Sequence, residues 1–78
     1  MNSMFSGAEN FNQPLYSWFV WNVKDMGFMF YEAKNFNQNL NNWNVWNVRD
    51  MKYMFNGASN FNRNNISDWR NVDEKSMF

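Results

Sequence analysis

Unlike residues recur in this chain at one long interval. Met4-Phe5, Met29-Phe30 and Met54-Phe55 lie 25 residues apart, as do Ala8, Ala33 and Ala58. Phe11, Phe36 and Phe61 keep the interval, flanked by Asn10, Asn35 and Asn60 and by Asn12, Asn37 and Asn62. Trp18 pairs with Trp43, Val20 with Val45, Val23 with Val48 and Met26 with Met51. The register then slips. Ile66 follows Leu15 and Leu40 one residue late, Trp69 is late by the same amount, and Met77-Phe78 arrives early. Fixed long-range spacing of this kind marks a repeat architecture, in which each copy buries its apolar side against its neighbours.

The recurrence changes the reading of the stretch NFNQNLNNWNVWNV, residues 35–48, where seven of fourteen residues are Asn. By composition alone it is a polar and aromatic low-complexity tract. By interval it is one coil of an ordered stack, since a disordered tract has no reason to hold unlike residues at a constant distance. Asn ladders between copies can satisfy backbone and side-chain amides. Asn12/Asn37/Asn62 and Asn10/Asn35/Asn60 are the expected rungs, the alternative being solvated turn residues.

Within one coil, residues 22–46, the positions Val23, Met26, Met29, Phe30 and Ala33 give one apolar stripe at helical spacing. Asn22 stands at an N-cap position with Asp25 three residues on, repeated as Asn47/Asp50 and Asn71/Glu74. Gly7 and Gly57 sit where such a helix would end. Glu32 takes that place in the middle copy, at a cost of about 1 kcal/mol if the backbone there has positive φ. Asn35 to Val45 reads as extended, with Phe36, Leu40, Trp43 and Val45 inward, and Pro14 removes one donor from the first copy. The expected fold is therefore an α/β solenoid. It is a right-handed leucine-rich-repeat-like stack of about three coils, each one short helix and one short strand, with a parallel sheet on one face. It forms a single domain over residues 1–78, with coil boundaries near 22, 47 and 72.

Composition narrows the chemistry. There is no His and no Cys, so the commonest general base, metal ligand and thiol nucleophile are missing and no disulfide can form. Seven basic residues balance seven acidic ones, without the basic excess of a nucleic-acid footprint. No apolar run approaches membrane-spanning length, and no secretory signal opens the chain as given. No phosphate loop, calcium loop, metal site or cofactor motif is found. Asp25 and Asp50 could be read as paired catalytic carboxylates, but their recurrence with the repeat favours a structural part. A hidden hydrolase would have to draw on Glu9, Asp68 and Asp73. The stripe of Met26, Met29, Met51 and Met54 could form a groove for a partner helix, but its inward register favours core packing. Asn65-Ile66-Ser67 is a glycosylation sequon read as chance in so Asn-rich a chain.

The pattern NVRDMKYMFNGASNFNRN, followed by Ile66 and Trp69, resembles the repeat of BspA-like leucine-rich-repeat surface proteins. The motif, V-x-x-M-x-x-M-F-x-x-A-x-x-F-N, carries over onto Val23, Met26, Met29, Phe30, Ala33, Phe36 and Asn37. It carries over again onto Val48, Met51, Met54, Phe55, Ala58, Phe61 and Asn62. The resemblance implies a right-handed solenoid, a role in adhesion or protein–protein contact at a cell or particle surface, and no enzymatic activity. Trp21 and Trp46 depart from it, standing where that family has a small polar residue.

The clearest functional signal lies in aromatic residues that the repeat does not require. Tyr16 becomes Asn41 and then Ser67; Phe19 becomes Asn44 and then Arg70. Phe28 becomes Tyr53, Tyr31 becomes Asn56, and Trp21 becomes Trp46. Tyr16, Phe19, Trp21, Phe28, Tyr31, Trp46 and Tyr53 are thus the expected protein interface, since contiguous exposed rings on a small domain mark a contact surface. Both chain ends fall inside the same motif without a polar cap. That gives the expectation of a fragment of a longer stack, or of a subunit whose neighbours cover it by end-to-end stacking. The functional expectation is a non-enzymatic interaction or scaffold module, with other proteins as partners within a larger assembly. Alternatives are a structural subunit such as a minor capsid protein of a large DNA virus, and a fragment of a cell-surface adhesin.

Overall fold

The computed structural model describes residues 1–70 and 72–78. Successive repeats do lie against one another, but not as helix and strand. Among the described residues the regular elements are one 3-10 turn, Arg63–Ile66, and one four-residue helix, α1, Glu74–Met77. The sole strand-like pairing among the described residues is an isolated parallel bridge between Asp25 and Asp50. The expected α/β solenoid with a parallel sheet is therefore wrong. The chain folds into a body of 28 × 23 × 20 Å built almost wholly of turns.

The physical reason lies in where the amides go. In the segment expected to be helical, turns overlap: the Met29 amide donates to the Met26 carbonyl, Tyr31 to Phe28 and Ala33 to Phe30. The amides between them leave the coil. Phe28 donates to the Lys52 carbonyl, Phe30 to Met54 (2.9 Å) and Glu32 to Asn56 (2.8 Å). The first copy repeats this one coil earlier, with Ser3 bonded to Gly27, Phe5 to Met29 and Gly7 to Tyr31. An α-helix needs every interior amide to reach back four residues within its own coil; here alternate amides reach back only three and the others leave the coil. A parallel ladder needs bonds that run both ways between neighbours, and within this run they all run one way. Bonds return at Asp25 and Asp50, with Met26 donating to the Asp50 carbonyl and Asp50 to the Lys24 carbonyl, and past the run at Asn35 and Asn60, which donate to the Glu9 and Lys34 carbonyls.

Overlapping turns of this kind need left-handed residues at fixed places. Ser3, Phe28 and Tyr53 have φ of 60°, 58° and 54°; Gly7, Glu32 and Gly57 have 73°, 55° and 80°. Each is the third residue of its turn, where a type II turn requires positive φ. Gly57 is there for a second reason: a Cβ would lie 2.8 Å from the Glu32 Cγ and 3.3 Å from its Cα. Gly7 and Gly57 therefore serve turns rather than ending helices. The segment expected to be extended is also broken, by turns from Leu40 to Trp43 and from Val45 to Val48.

The helix caps are corrected in the same way. The Asp25 carboxylate accepts from the Gly27 amide (2.9 Å) and Asp50 from Lys52 (3.0 Å), each closing its own turn. In the last copy the N-cap of α1 is Asp73, accepting from Lys75, and not the pair Asn71/Glu74; Asn71 lies outside the described residues. Asn47 is a rung rather than a cap, its amide donating to the Trp21 carbonyl at 2.8 Å.

The apolar stripe faces inward as its spacing requires, because turns that advance three residues place i, i+3, i+4 and i+7 on one side as a helix does. Met26, Met29, Phe30, Ala33 and Phe36 are fully buried, as are Leu40 and Met54. The Met stripe is core. Phe5, Phe30, Phe55 and Phe78 form one column with ring centroids 5.4, 5.5 and 5.4 Å apart. Phe11, Phe36 and Phe61 form a second, at 5.8 and 5.9 Å. The columns interlock through Phe5–Phe11, Phe30–Phe36 and Phe55–Phe61 at 4.3, 4.1 and 4.1 Å. Such pairs add about 0.5–1.5 kcal/mol each beyond the area they bury. The indoles of Trp43 and Trp69 tie copies together by donating to the Leu15 and Leu40 carbonyls.

The Asn ladder forms as expected. The Asn37 amide donates to Asn12 Oδ1 (2.9 Å) and Asn62 to Asn37 Oδ1 (3.0 Å), while the side chains of Asn35 and Asn60 reach Asn10 and Asn35. The extra residue of the third copy is absorbed by the 3-10 turn, which lets Asn65 Nδ2 reach Asn37 Oδ1 at 2.7 Å. The Asn65 sequon thus carries a side chain already engaged in the ladder.

Replacing Asn37 by Ala removes the acceptor for two donors and should lower stability by about 1 kcal/mol, whereas Asn37→Asp, which keeps both acceptors, should cost less. Glu32→Gly should raise stability by about 1 kcal/mol by relieving the left-handed backbone, and Gly57→Ala should lower it. Urea midpoints of the four variants check both statements.

Candidate functional site

The outward aromatics fall into two groups. Phe28, Tyr31 and Tyr53 touch: Phe28 meets Tyr31 edge-on at 5.4 Å and Tyr53 at 5.2 Å. Phe28 and Tyr53 are also the bulky residues held at positive φ. The turn would be less strained with Gly or Asn, and such strain in a structure is a pointer to function. Tyr16, Phe19, Trp21 and Trp46 form the second group. All four are exposed, Phe19 by 90% and Trp46 by 68%, and none of them stacks on another ring. The structure thus brings three of the seven expected interface residues into contact and leaves four as separate projecting rings.

The neighbouring copies show what the second group gives up. Asn44, one coil below Phe19, accepts from the Trp46 amide at 3.0 Å and closes its turn. Asn41, one coil below Tyr16, accepts from the Asp68 amide and donates to the Asn64 carbonyl. A phenyl ring at 19 has no acceptor for such a turn, and a phenol at 16 does not have the geometry of an Asn amide. The chain carries aromatic rings where its own repeat uses hydrogen-bonding side chains.

Two shallow clefts lie between copies. One, about 160 Å³, is lined by Trp43, Asn44, Val45, Trp46, Asp68, Trp69 and Arg70. Its origin is legible in the spacing: seven residues separate Trp43 from Asp50, but four separate Trp69 from Asp73. Trp46 beside the cleft stays exposed while Val45 remains buried. The signal in the sequence that marks this cleft is the early arrival of Met77-Phe78. The other cleft, about 230 Å³, lies between Val48–Lys52 and Val72, Asp73 and Ser76.

The acidic residues that an enzyme would need are dispersed. Asp68 lines the first cleft and Asp73 the second, where its Oδ1 is engaged by the Lys75 amide. Glu9 pairs with Lys34 at 3.1 Å on the surface. Among the described residues no group of three or more His, Cys, Asp or Glu side chains could hold a metal ion, and no helix is long and apolar enough to cross a membrane. The Asp25 carboxyl sits between two hydrogen-bond donors. The Gly27 amide, then the Asn2 side chain, hold its pKa below the ordinary value for Asp.

A family profile of Mycoplasma proteins of unknown function, DUF285, matches residues 1–78. The chain belongs to this family. Comparison with curated proteins and with solved structures returns no match. In this DUF285 chain the match spans all three copies, so the outward rings lie within the matched length.

Because the folded Asp25 carboxyl releases its proton more readily than the unfolded one, its contribution to stability is present above the unfolded pKa. It is lost as pH falls through the folded value. Carboxyl-carbon NMR should place the Asp25 midpoint below that of an unperturbed Asp. Asp25→Asn should flatten the acid limb of the stability profile, and an unchanged limb would show that Asp25 takes no part in it.

Proposed function

We propose that the chain is a non-enzymatic protein–protein interaction or scaffold module that meets its partner through its outward aromatic rings. The observation that carries this reading is Phe19. It is nine-tenths exposed where the next copy places a turn-closing Asn, so it weakens the local fold and leaves a large apolar group in water. Aromatic residues are enriched in interface cores because they bury much area with few rotatable bonds. Trp21, Trp46 and Tyr16 extend the surface beside it, and Phe28, Tyr31 and Tyr53 add a pre-packed cluster.

Two further considerations support the reading. The repeat resembles that of BspA-like surface proteins, which implies adhesion or protein contact. Asp25, Asp50 and Asp73 accept at turns and Glu9 pairs with Lys34 on the surface, and the chain lacks the His and Cys that most nucleophile–base pairs use.

The test is the double variant Phe19→Arg with Trp21→Ser, which removes the rings without touching the core. Its thermal melting should match or exceed that of the wild type. Light scattering and affinity chromatography should show loss of the assembly or the co-purifying protein seen with wild type. If the same assembly and the same companions persist with the variant, the aromatic surface is not the interface.

A further inference from the structure

We propose that Asn56 is a site of spontaneous deamidation, latched shut by the Phe78 carbonyl, so that its conversion marks and then fixes the release of the segment Val72–Phe78. This does not depend on the interaction reading above. The reactive dipeptide is Asn56-Gly57, and the third copy alone carries it; the equivalent pairs are Ser6-Gly7 and Tyr31-Glu32. The fold itself demands the glycine, because φ is +80° and a Cβ would press on Glu32. A glycine after Asn leaves the following amide nitrogen with no side chain to shield it, which is the arrangement that favours attack on the Asn side chain.

The reaction needs only water. The Gly57 nitrogen, having lost its proton to solvent, attacks Asn56 Cγ, and a carbon–nitrogen bond forms. The Cγ–Nδ2 bond breaks and ammonia leaves with a proton from water. Water then opens the five-membered imide at either carbonyl, giving aspartate or isoaspartate. Nothing is oxidised or reduced.

In the folded chain this motion is opposed at three points. Asn56 Nδ2 donates to the Phe78 carbonyl at 2.8 Å, the Asn56 amide donates to the Tyr53 carbonyl, and its own carbonyl accepts from Glu32 at 2.8 Å. Swinging Cγ toward the Gly57 nitrogen breaks the first of these. The latch belongs to a docked segment: Tyr53 and Phe55 donate to the Ser76 and Met77 carbonyls, Met77 is fully buried, and the Arg63 guanidinium covers the Phe78 ring at 4.1 Å.

The product cannot re-form the latch. A carboxylate at 56 only accepts, and it would face the Phe78 carbonyl, another acceptor. An isoaspartyl link would also lengthen the main chain at the carbonyl to which Glu32 donates. Release would uncover Phe55 and Phe61, whose rings pack against Phe78, so the change is a one-way exposure of apolar surface.

The experiment follows Asn56 by peptide mapping and isoaspartyl detection in the whole chain, incubated at mildly alkaline pH. Conversion in wild type should be slow, and roughly tenfold or more faster in Met77→Ala, which loosens the docked segment. Arg63→Ala, which removes the guanidinium over Phe78 and its 3.9 Å pairing with Glu74, gives a milder acceleration if Met77→Ala fails to fold. In Asn56→Asp the Phe55 amide should lose hydrogen-exchange protection while Phe30 keeps it. Equal conversion rates in wild type, in the loosened variant and in urea would overturn the latch. Retained Phe55 protection in Asn56→Asp would overturn the one-way release.

Discussion

Every second amide in the turn runs of this protein serves the next repeat rather than its own. Phe5, Phe30 and Phe55 donate across to Met29, Met54 and Met77, while Ala8, Ala33 and Ala58 close local turns. This division of donors sets the spacing of the copies, and the aromatic columns depend on that spacing. Rings 5.4 to 5.9 Å apart along each column stack because the backbones beneath them are bonded at that pitch. Neither feature stands alone. A run of bare turns is too weakly held to persist in water, and stacked rings without a fixed backbone would not keep one register.

The same constraint sorts the side chains by position. Positions that bond between copies are filled by Asn, as at Asn12, Asn37 and Asn62, and by Asp where a turn needs an acceptor. Positions that face inward are filled by Phe, Met, Leu and Trp. The rings at Phe19, Trp21 and Trp46 satisfy neither demand. Phe28 and Tyr53 work against one, since the turn asks for positive φ and a bulky residue resists it. A surface that costs stability in the copy that carries it is a reasonable place to look for a partner.

Much of the surface could be read from the chain. The exposed rings were identifiable because substitution between copies is a comparison made within one molecule: Asn44 shows what position 19 needs. Their division into a touching cluster and isolated projections was not identifiable, because the distance between Phe28 and Trp21 depends on how the coil closes. The cleft beside Trp46 was hidden for a related reason. Its cause, a shortened copy, is a count of residues, but its place depends on which copy lies over which.

The sequence by itself determined the repeat interval, the inward positions and the Asn ladder. Each follows from side-chain chemistry recurring at a fixed distance. Only the tertiary structure decided that among the described residues no repeat forms a helix of the expected length or a strand, and that Asp25, Asp50 and Asp73 accept at the turns. Apolar residues at i, i+3, i+4 and i+7 suit a helix and a run of overlapping turns equally. What separates the two is the destination of the amide hydrogens, and here the neighbouring copy takes half of them.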